Sequence, residues 1–238
     1  MVPFSFAGEE FALVGERALY WPREAALLVA DLHLEKASFF ARHGQMLPPY
    51  DSRETLERVA GAIRQTGARR VYCLGDNFHD TAGPERLEPH AAGMLDALSR
   101  ATDWVWIAGN HDQGRVPWGT AVDELELAGI VLRHEALRGE MRAELSGHYH
   151  PRLRVSARGR LIARPCWVAS ESRLILPAFG ALTGGMDAAD PAIIAAMQPA
   201  RAVDAVLPAS GRLAQFPLWR ASNQEGGNIA RRDRAAST

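Results

Sequence analysis

Four short strings place Asp, Asn or His directly after an apolar run. They are Asp31-Leu32-His33 after Leu27 to Ala30, Gly75-Asp76-Asn77-Phe78-His79-Asp80 after Val71 to Leu74, Gly109-Asn110-His111-Asp112 after Trp104 to Ala108, and Gly147-His148-Tyr149-His150 after Ala143 to Ser146. His134 follows a fifth run, Ile130 to Leu132. Carboxylate oxygen together with imidazole nitrogen suits Mn, Fe or Zn, whereas an all-oxygen set favours Mg or Ca. A carboxylate shared between two cations holds them roughly 3.5–4 Å apart, so that both polarise one phosphate and share one activated water. The candidate ligands in order are Asp31 and His33, Asp76, Asn110 and His111, His134, and His148 and His150, with Asp76 at the centre of the constellation. On extended backbone the side-chain period is two. That period predicts that Asp31 with His33, and His148 with His150, each clamp a single metal.

Taken singly, most of these strings have an ordinary account. Asp31-x-His33 reads as a polar strand end, Gly75-Asp76 as a turn with a helix-capping carboxylate, and Gly109-Asn110-His111-Asp112 as a run of good turn formers. A lone His134 is an exposed strand end. Gly147-His148-Tyr149-His150 resists such an account. Together they hold six of the chain's eight histidines, His33, His79, His111, His134, His148 and His150. Scatter would not put these at successive strand ends, so a metal centre for phosphate-ester chemistry is predicted.

The elements that carry these strings must bring them to one edge, and open α/β sheets place their chemistry at the carboxyl ends of their strands. Phe4 to Tyr20 reads as an antiparallel hairpin or meander. Asp51 begins a helix with Asp51 or Ser52 as N-cap, Leu56, Val59, Ala60 and Ile63 on its buried face, and Gly67 at its end. A second helix is predicted over 86–100. Strand, helix, strand, helix, strand argues for a parallel sheet with helical crossovers. After Ile130 the strands follow without helical spacers, so this half is expected to be largely antiparallel. Two sheets face to face with helices outside use both halves. One domain is expected over residues 1–219. A disordered tail is expected over 220–238, where large apolar residues almost vanish.

A chain of 238 residues suits one domain with a large core. The formal net charge of -1 excludes a polycation that coats nucleic acid indiscriminately, but allows a local basic patch. Lys36 is the only lysine; every other basic residue is arginine, whose fork grips phosphate. Arg152 and Arg154 alternate just after His150 and, with Arg158, Arg160 and Arg164, are candidates to track a nucleic-acid backbone. Arg231, Arg232 and Arg234 in the tail are weaker candidates. Cys73 and Cys166 lie in apolar runs without a C-x-x-C arrangement, and are expected to be buried, reduced thiols of a cytoplasmic protein. The N-terminus lacks the basic region of a signal peptide. No apolar run approaches the ~20 residues of a bilayer span, so no membrane partner is expected. No Ser or Cys has a partner suited to covalent catalysis.

D-x-H, G-D, G-N-H-D, a lone His and G-H-x-H, in that order, resemble the motifs of calcineurin-like metallophosphoesterases, from Leu27 to Pro151. The resemblance implies an α/β fold of the metallophosphoesterase type, a four-layer sandwich of two mixed β-sheets flanked by helices. It implies that Asp31, His33 and His150 bind a first metal, that Asp76 is shared, and that Asn110, His134 and His148 complete a second. His111 would bind no metal. It would hydrogen-bond the phosphate and help to protonate the leaving oxygen. An adjacent side chain on an extended segment points away from Asn110, which agrees with that role, and Asp112 is placed to orient His111. The implied cofactors are two divalent cations, Mn2+ first, with Fe, Zn or Mg as alternatives. The common G-D-x-x-D form of the second motif is not kept: Asp80 comes one place late, and His79 and Asp80 are left to supporting or substrate-facing roles.

A narrower resemblance rests on Gly75 to Asp80, on Gly147-His148-Tyr149-His150-Pro151, and on Leu176-Pro177-Ala178-Phe179-Gly180-Ala181-Leu182-Thr183-Gly184-Gly185. These are similar to the bacterial ligase-associated DNA damage response endonuclease family. That implies a metal-dependent phosphodiesterase or endonuclease, DNA as substrate, and a DNA ligase and a helicase as partners. The alternatives are a phosphatase or nucleotide phosphodiesterase of the same fold, and a non-catalytic scaffold. A scaffold would show losses among the ligands, and every expected ligand is present.

Overall fold

Seven strands form the first sheet in chain order: β1 (Val2–Phe6), β2 (Glu9–Val14), β3 (Ala18–Trp21), β4 (Ala26–Val29), β5 (Arg70–Leu74), β6 (Asp103–Ile107) and β7 (Thr120–Val122). The computed structural model describes residues 1–112, 116–157 and 159–221. β1 to β4 are an antiparallel meander, as Phe4 to Tyr20 suggests. β4, β5, β6 and β7 are parallel. Helices α1 (Lys36–Arg42) and α2 (Asp51–Thr66) link β4 to β5, and α3 (Gly83–Arg86) and α4 (Pro89–Ala101) link β5 to β6.

Two local expectations need correction. The residue before α2 is Tyr50, and neither Asp51 nor Ser52 caps it. Both side chains are taken by tertiary partners: Asp51 accepts from the Ala37 N–H, and Ser52 accepts from the Glu35 N–H and donates to the Glu35 carboxylate. The helix predicted over 86–100 is two helices. Pro89 disfavours helical backbone in the residue before it, so Glu88 is extended, with ψ 151°. Its carboxylate then caps α4 through the N–H groups of His90 and Ala91.

The remaining strands are β8 (Leu125–Leu127), β9 (Ile130–Leu132), β10 (Ala143–Ser146), β11 (Pro151–Ala157), β12 (Arg160–Pro165), β13 (Trp167–Ala169), β14 (Arg173–Ile175), β15 (Met186–Asp187), β16 (Ala202–Ala209) and β17 (Arg212–Arg220). The second sheet has the order β17-β16-β13-β14-β10-β9-β8, and β12-β11-β15 form a third, small sheet. The centre of the second sheet, β9-β10-β14, is parallel. The expectation of a largely antiparallel half therefore fails there. After β10 the chain leaves the sheet for β11 and β12, then re-enters on β13, and that excursion lets β10 and β14 lie side by side in one direction.

Side-chain alternation on the strands builds the layers. Leu28, Tyr72, Leu74 and Ile107 of the first sheet meet Leu132, Leu145, Trp167 and Leu174 of the second in a core between the sheets. Leu27, Val29, Val71 and Cys73 point the other way, onto Leu56 and Val59 of α2 and Leu95 of α4. The outer face of the second sheet carries Val168, Ile175, Val203 and Ala205 against Ile193 of α5 (Pro191–Ala196). The result is an α/β sandwich of two mixed sheets between helical layers. Cys73 and Cys166 are free and buried. No helix of the described residues is long and apolar enough to cross a membrane. β17 runs through Arg220, one residue past the expected domain boundary, and residues 222–238 of the expected tail, with Arg231, Arg232 and Arg234, lie outside the described residues.

Candidate metal centre

Each string begins just past the carboxyl end of its strand. Asp31 and His33 follow β4, Asp76 follows β5, Asn110 and His111 follow β6, His134 follows β9, and His148 and His150 follow β10. The loops are stitched together by their backbones. Asp31 N–H donates to the Gly75 carbonyl at 3.1 Å, His33 N–H to the Asp76 carbonyl at 2.9 Å, and Gly147 N–H to the His134 carbonyl at 2.8 Å. Across the two sheets, His148 N–H donates to the Asp31 carboxylate at 3.0 and 3.1 Å.

Five candidate ligands have left-handed backbone: Asp31 (φ 52°), His33 (φ 44°), Asp76 (φ 45°), His148 (φ 74°) and His150 (φ 49°). Such conformations cost non-glycine residues about 1–3 kcal/mol each and gather at functional sites. The segments are kinked rather than extended, so the period-two argument does not apply. Asp31 and His33 still converge on one cluster. His148 and His150 part company and serve different clusters, against the expectation that this pair clamps a single metal.

One ligand atom from each of Asp31, His33, Asp76 and His150 lies within 4.8 Å of the others, and the same holds for Asp76, His134 and His148. Asp76 is common to both groups and divides its oxygens between them. Its Oδ2 is 3.7 Å from His33 Nε2, and its Oδ1 is 3.4 Å from His134 Nε2. In the first group, His33 Nε2 faces His150 Nε2 at 3.3 Å, and Asp31 Oδ1 is 3.5 Å from His150 Nε2. In the second, His134 Nε2 faces His148 Nδ1 at 3.1 Å. Ligands held by bonds of about 2.1 Å to one cation are spaced in this way. The mixed imidazole and carboxylate donors fit Mn, Fe or Zn. Asn110 is exposed, with its Nδ2 3.4 Å from His148 Nδ1. A half-turn of the amide would bring its oxygen to that position.

The imidazoles are arranged to present lone pairs. Burial, with His150 and Lys36 nearby, pushes the His33 ring down to about 2, so it is neutral, as a ligand must be. His33 Nδ1 lies 3.4 Å from His79 Nδ1, which leaves Nε2 for the centre. Burial, together with Lys36 and His111, likewise pushes His79 down to about 4. His79 also stacks on His111, with ring centroids 5.8 Å apart and planes 12° apart. Asp80 turns away and pairs with Arg86, which holds its carboxyl below the usual range.

His111 lies outside both groups of ligand atoms. Its side chain is 47% exposed at the mouth, with Nε2 3.9 Å from Asp76 Oδ2 and its N–H donating to Asp76 Oδ1 at 3.2 Å. Asp112 does not orient it. The Asp112 carboxylate accepts from the N–H groups of Asn77 at 3.0 Å, Phe78 at 3.2 Å and Gly109 at 3.0 Å, and from Asn77 Nδ2 at 2.8 Å. Burial raises its pKa, and those donors oppose the rise. Asp112 thus locks the loop after β6 to the loop that carries Asp76.

Two glycines permit this closeness. A Cβ on Gly75, whose φ is 74°, would lie 2.2 Å from His134 Nδ1, and one on Gly109 would lie 2.1 Å from the Asp76 nitrogen. Sequence reasoning missed Arg17. Its Nη1 donates to the carbonyls of Ala178 and Gly180 and to Thr183 Oγ1. That loop in turn braces the first ligand string, because Phe179 N–H donates to the Ala30 carbonyl and Gly180 N–H to the Asp31 carbonyl. The stretch Leu176 to Gly185 is the only signal, since it stands apart from the metal motifs; nothing local points to Arg17.

A model of the calcineurin-like phosphoesterase family matches residues 26–158. The crystal structure of the Pseudomonas putida nuclease MPE superposes with a TM-score of 0.68 at 29% identity, covering 90% of this chain and 98% of that one. Yfce, a phosphoesterase from E. coli, aligns with a TM-score of 0.36 at 18% identity, covering 81% of this chain and 98% of that one. No curated protein matches the chain.

Proposed function

The chain belongs to the calcineurin-like phosphoesterase family and is a metal-dependent phosphoesterase, and from that premise we propose that it is a dinuclear phosphodiesterase that cuts DNA as an endonuclease. The division of the Asp76 oxygens between two ligand groups carries the dinuclear reading. The likeness to a nuclease over 90% of the chain supports nucleic acid as the substrate.

Asp31, His33 and His150, with Asp76, would hold one cation; Asn110, His134 and His148, with Asp76, would hold the other. Two divalent cations, Mn2+ first, supply an activated water and positive charge against the phosphate. Asp76 stands between the two groups, with Oδ2 facing His33 and Oδ1 facing His134. His111, open at the mouth, donates a hydrogen bond to a non-bridging oxygen and a proton to the leaving oxygen. His79 supports both His33 and His111 from behind. Both free, buried cysteines support a reducing, cytoplasmic setting. A DNA ligase and a helicase are the partners to test by co-purification.

Purified, Mn-loaded protein should hydrolyse bis-p-nitrophenyl phosphate and cut circular single-stranded DNA. Release from p-nitrophenyl phosphate alone would make it a phosphatase. No turnover on any of the three, with metal bound, would make it a scaffold.

A further inference from the structure

Directly after His150 the chain enters β11 and returns on β12. Residues 151–165, Pro-Arg-Leu-Arg-Val-Ser-Ala-Arg-Gly-Arg-Leu-Ile-Ala-Arg-Pro, hold five arginines and no carboxylate, in a chain whose net charge is -1. Register decides where those charges point, because directly paired residues of an antiparallel ladder share a face. Arg152 pairs with Pro165, Arg154 with Ala163 and Ser156 with Leu161. Leu153 pairs with Arg164, Val155 with Ile162 and Ala157 with Arg160, on the opposite face. The arginines are therefore not one track, as their alternation in sequence suggests: Arg160 and Arg164 are turned away from Arg152 and Arg154.

The two faces differ in surroundings. Leu153 is buried and Val155 packs with it against the cluster under α5, while Arg164 is tied to Glu16 at 2.7 Å. On the other face Arg154, Ser156, Leu161 and Ala163 are exposed, and Leu161 is 72% exposed. Arg152, half-buried, donates to the Ala163 carbonyl at 3.1 Å, and Arg154, with its side chain 46% exposed, has Asp187 at 3.9 Å. Neither guanidinium is saturated. Arg152 and Arg154 lie about 7 Å apart along the strand, and Arg152 is two residues from the ligand His150.

We propose that this face of the β11–β12 hairpin is the track for the nucleic-acid strand on one side of the scissile phosphate. Arg152 and Arg154 contact successive phosphates, and Leu161 lies against the bases. The proposal rests on the nucleic-acid reading above. A backbone leaving the centre beside His150 meets Arg152 first and Arg154 next. Two guanidinium groups in line along the strand, leading away from the centre, match the successive phosphates of a polymer. A large exposed aliphatic side chain diagonal to Arg154, as Leu161 is, suits a partner that also offers apolar faces.

The test compares Arg152→Ala/Arg154→Ala with the parent, both Mn-loaded and both carrying His111→Ala to slow cleavage. Binding of a fluorescein-labelled oligodeoxynucleotide is followed by anisotropy across a range of salt concentrations. The double variant should bind at least tenfold more weakly, with the slope of log K against log salt shallower by about 1.4, as two lost phosphate contacts on a single strand require. Without His111→Ala, its turnover of bis-p-nitrophenyl phosphate should stay within twofold of the parent. Arg152→Lys/Arg154→Lys should restore the slope, and Leu161→Ser should weaken binding without changing it. An unchanged slope in the alanine variant, with the parent binding normally, overturns the track and leaves the nucleic-acid reading standing. So does a fall of the small diester in step with the oligonucleotide. A parent that binds no oligonucleotide at any salt overturns both.

Discussion

His134 turns Nδ1 to the carbonyl oxygen of Leu74, 3.1 Å away, and so points Nε2 at Asp76 Oδ1, 3.4 Å away. The carbonyl fixes the tautomer: Nδ1 carries the proton, and Nε2 keeps the lone pair that a metal needs. His134 serves the second group of ligands alone. His134→Ala should therefore retain about one Mn per chain after dialysis where the parent keeps about two. Elemental analysis checks this. Loss of all metal would mean that the two groups do not bind separately.

Asp112 is the acceptor for three backbone N–H groups on two loops. Each donor left without a partner costs about 1–3 kcal/mol. Partial relaxation should leave Asp112→Ala about 2–4 kcal/mol less stable in urea unfolding of the metal-free protein, with Asp112→Asn falling between it and the parent. An unchanged midpoint, with an altered pH–rate profile, would return Asp112 to the role of orienting His111.

His111 touches Asp76 through its backbone, while its ring sits at the mouth. His111→Ala should keep near-normal Mn content and lower kcat on bis-p-nitrophenyl phosphate by roughly 10²–10⁴, the usual range for a lost general acid. If metal is lost in step with activity, His111 is a ligand.

Much of this centre is legible in the sequence because an apolar run ending in a polar residue marks both a strand and its carboxyl edge. Asp31, Asp76 and His134 announce themselves in that way, and α2 does so through Leu56 and Val59. The division of labour between His148 and His150 is implied by the family's motifs but not by the side-chain period, which pairs the two on one metal. It depends on left-handed backbone at Asp and His, which local sequence does not signal as glycine would. The parallel pairing of β10 with β14 is hidden by the intervening hairpin. The purpose of Asp112 and the grip of Arg17 on the loop from Ala178 to Thr183 are contacts between distant segments, set by tertiary packing. The break between α3 and α4 was open to sequence reasoning, since Pro89 marks it.

On the proposed reading Asp76 would be shared by two cations, since it faces both ligand groups. Metal stoichiometry of Asp76→Asn against the parent, both saturated with Mn and then dialysed, tests it most directly. Sharing predicts about two Mn per parent chain and well under one per variant chain, because a single lost charge loosens both sites. About one Mn in the parent, or two kept by the variant, would contradict it.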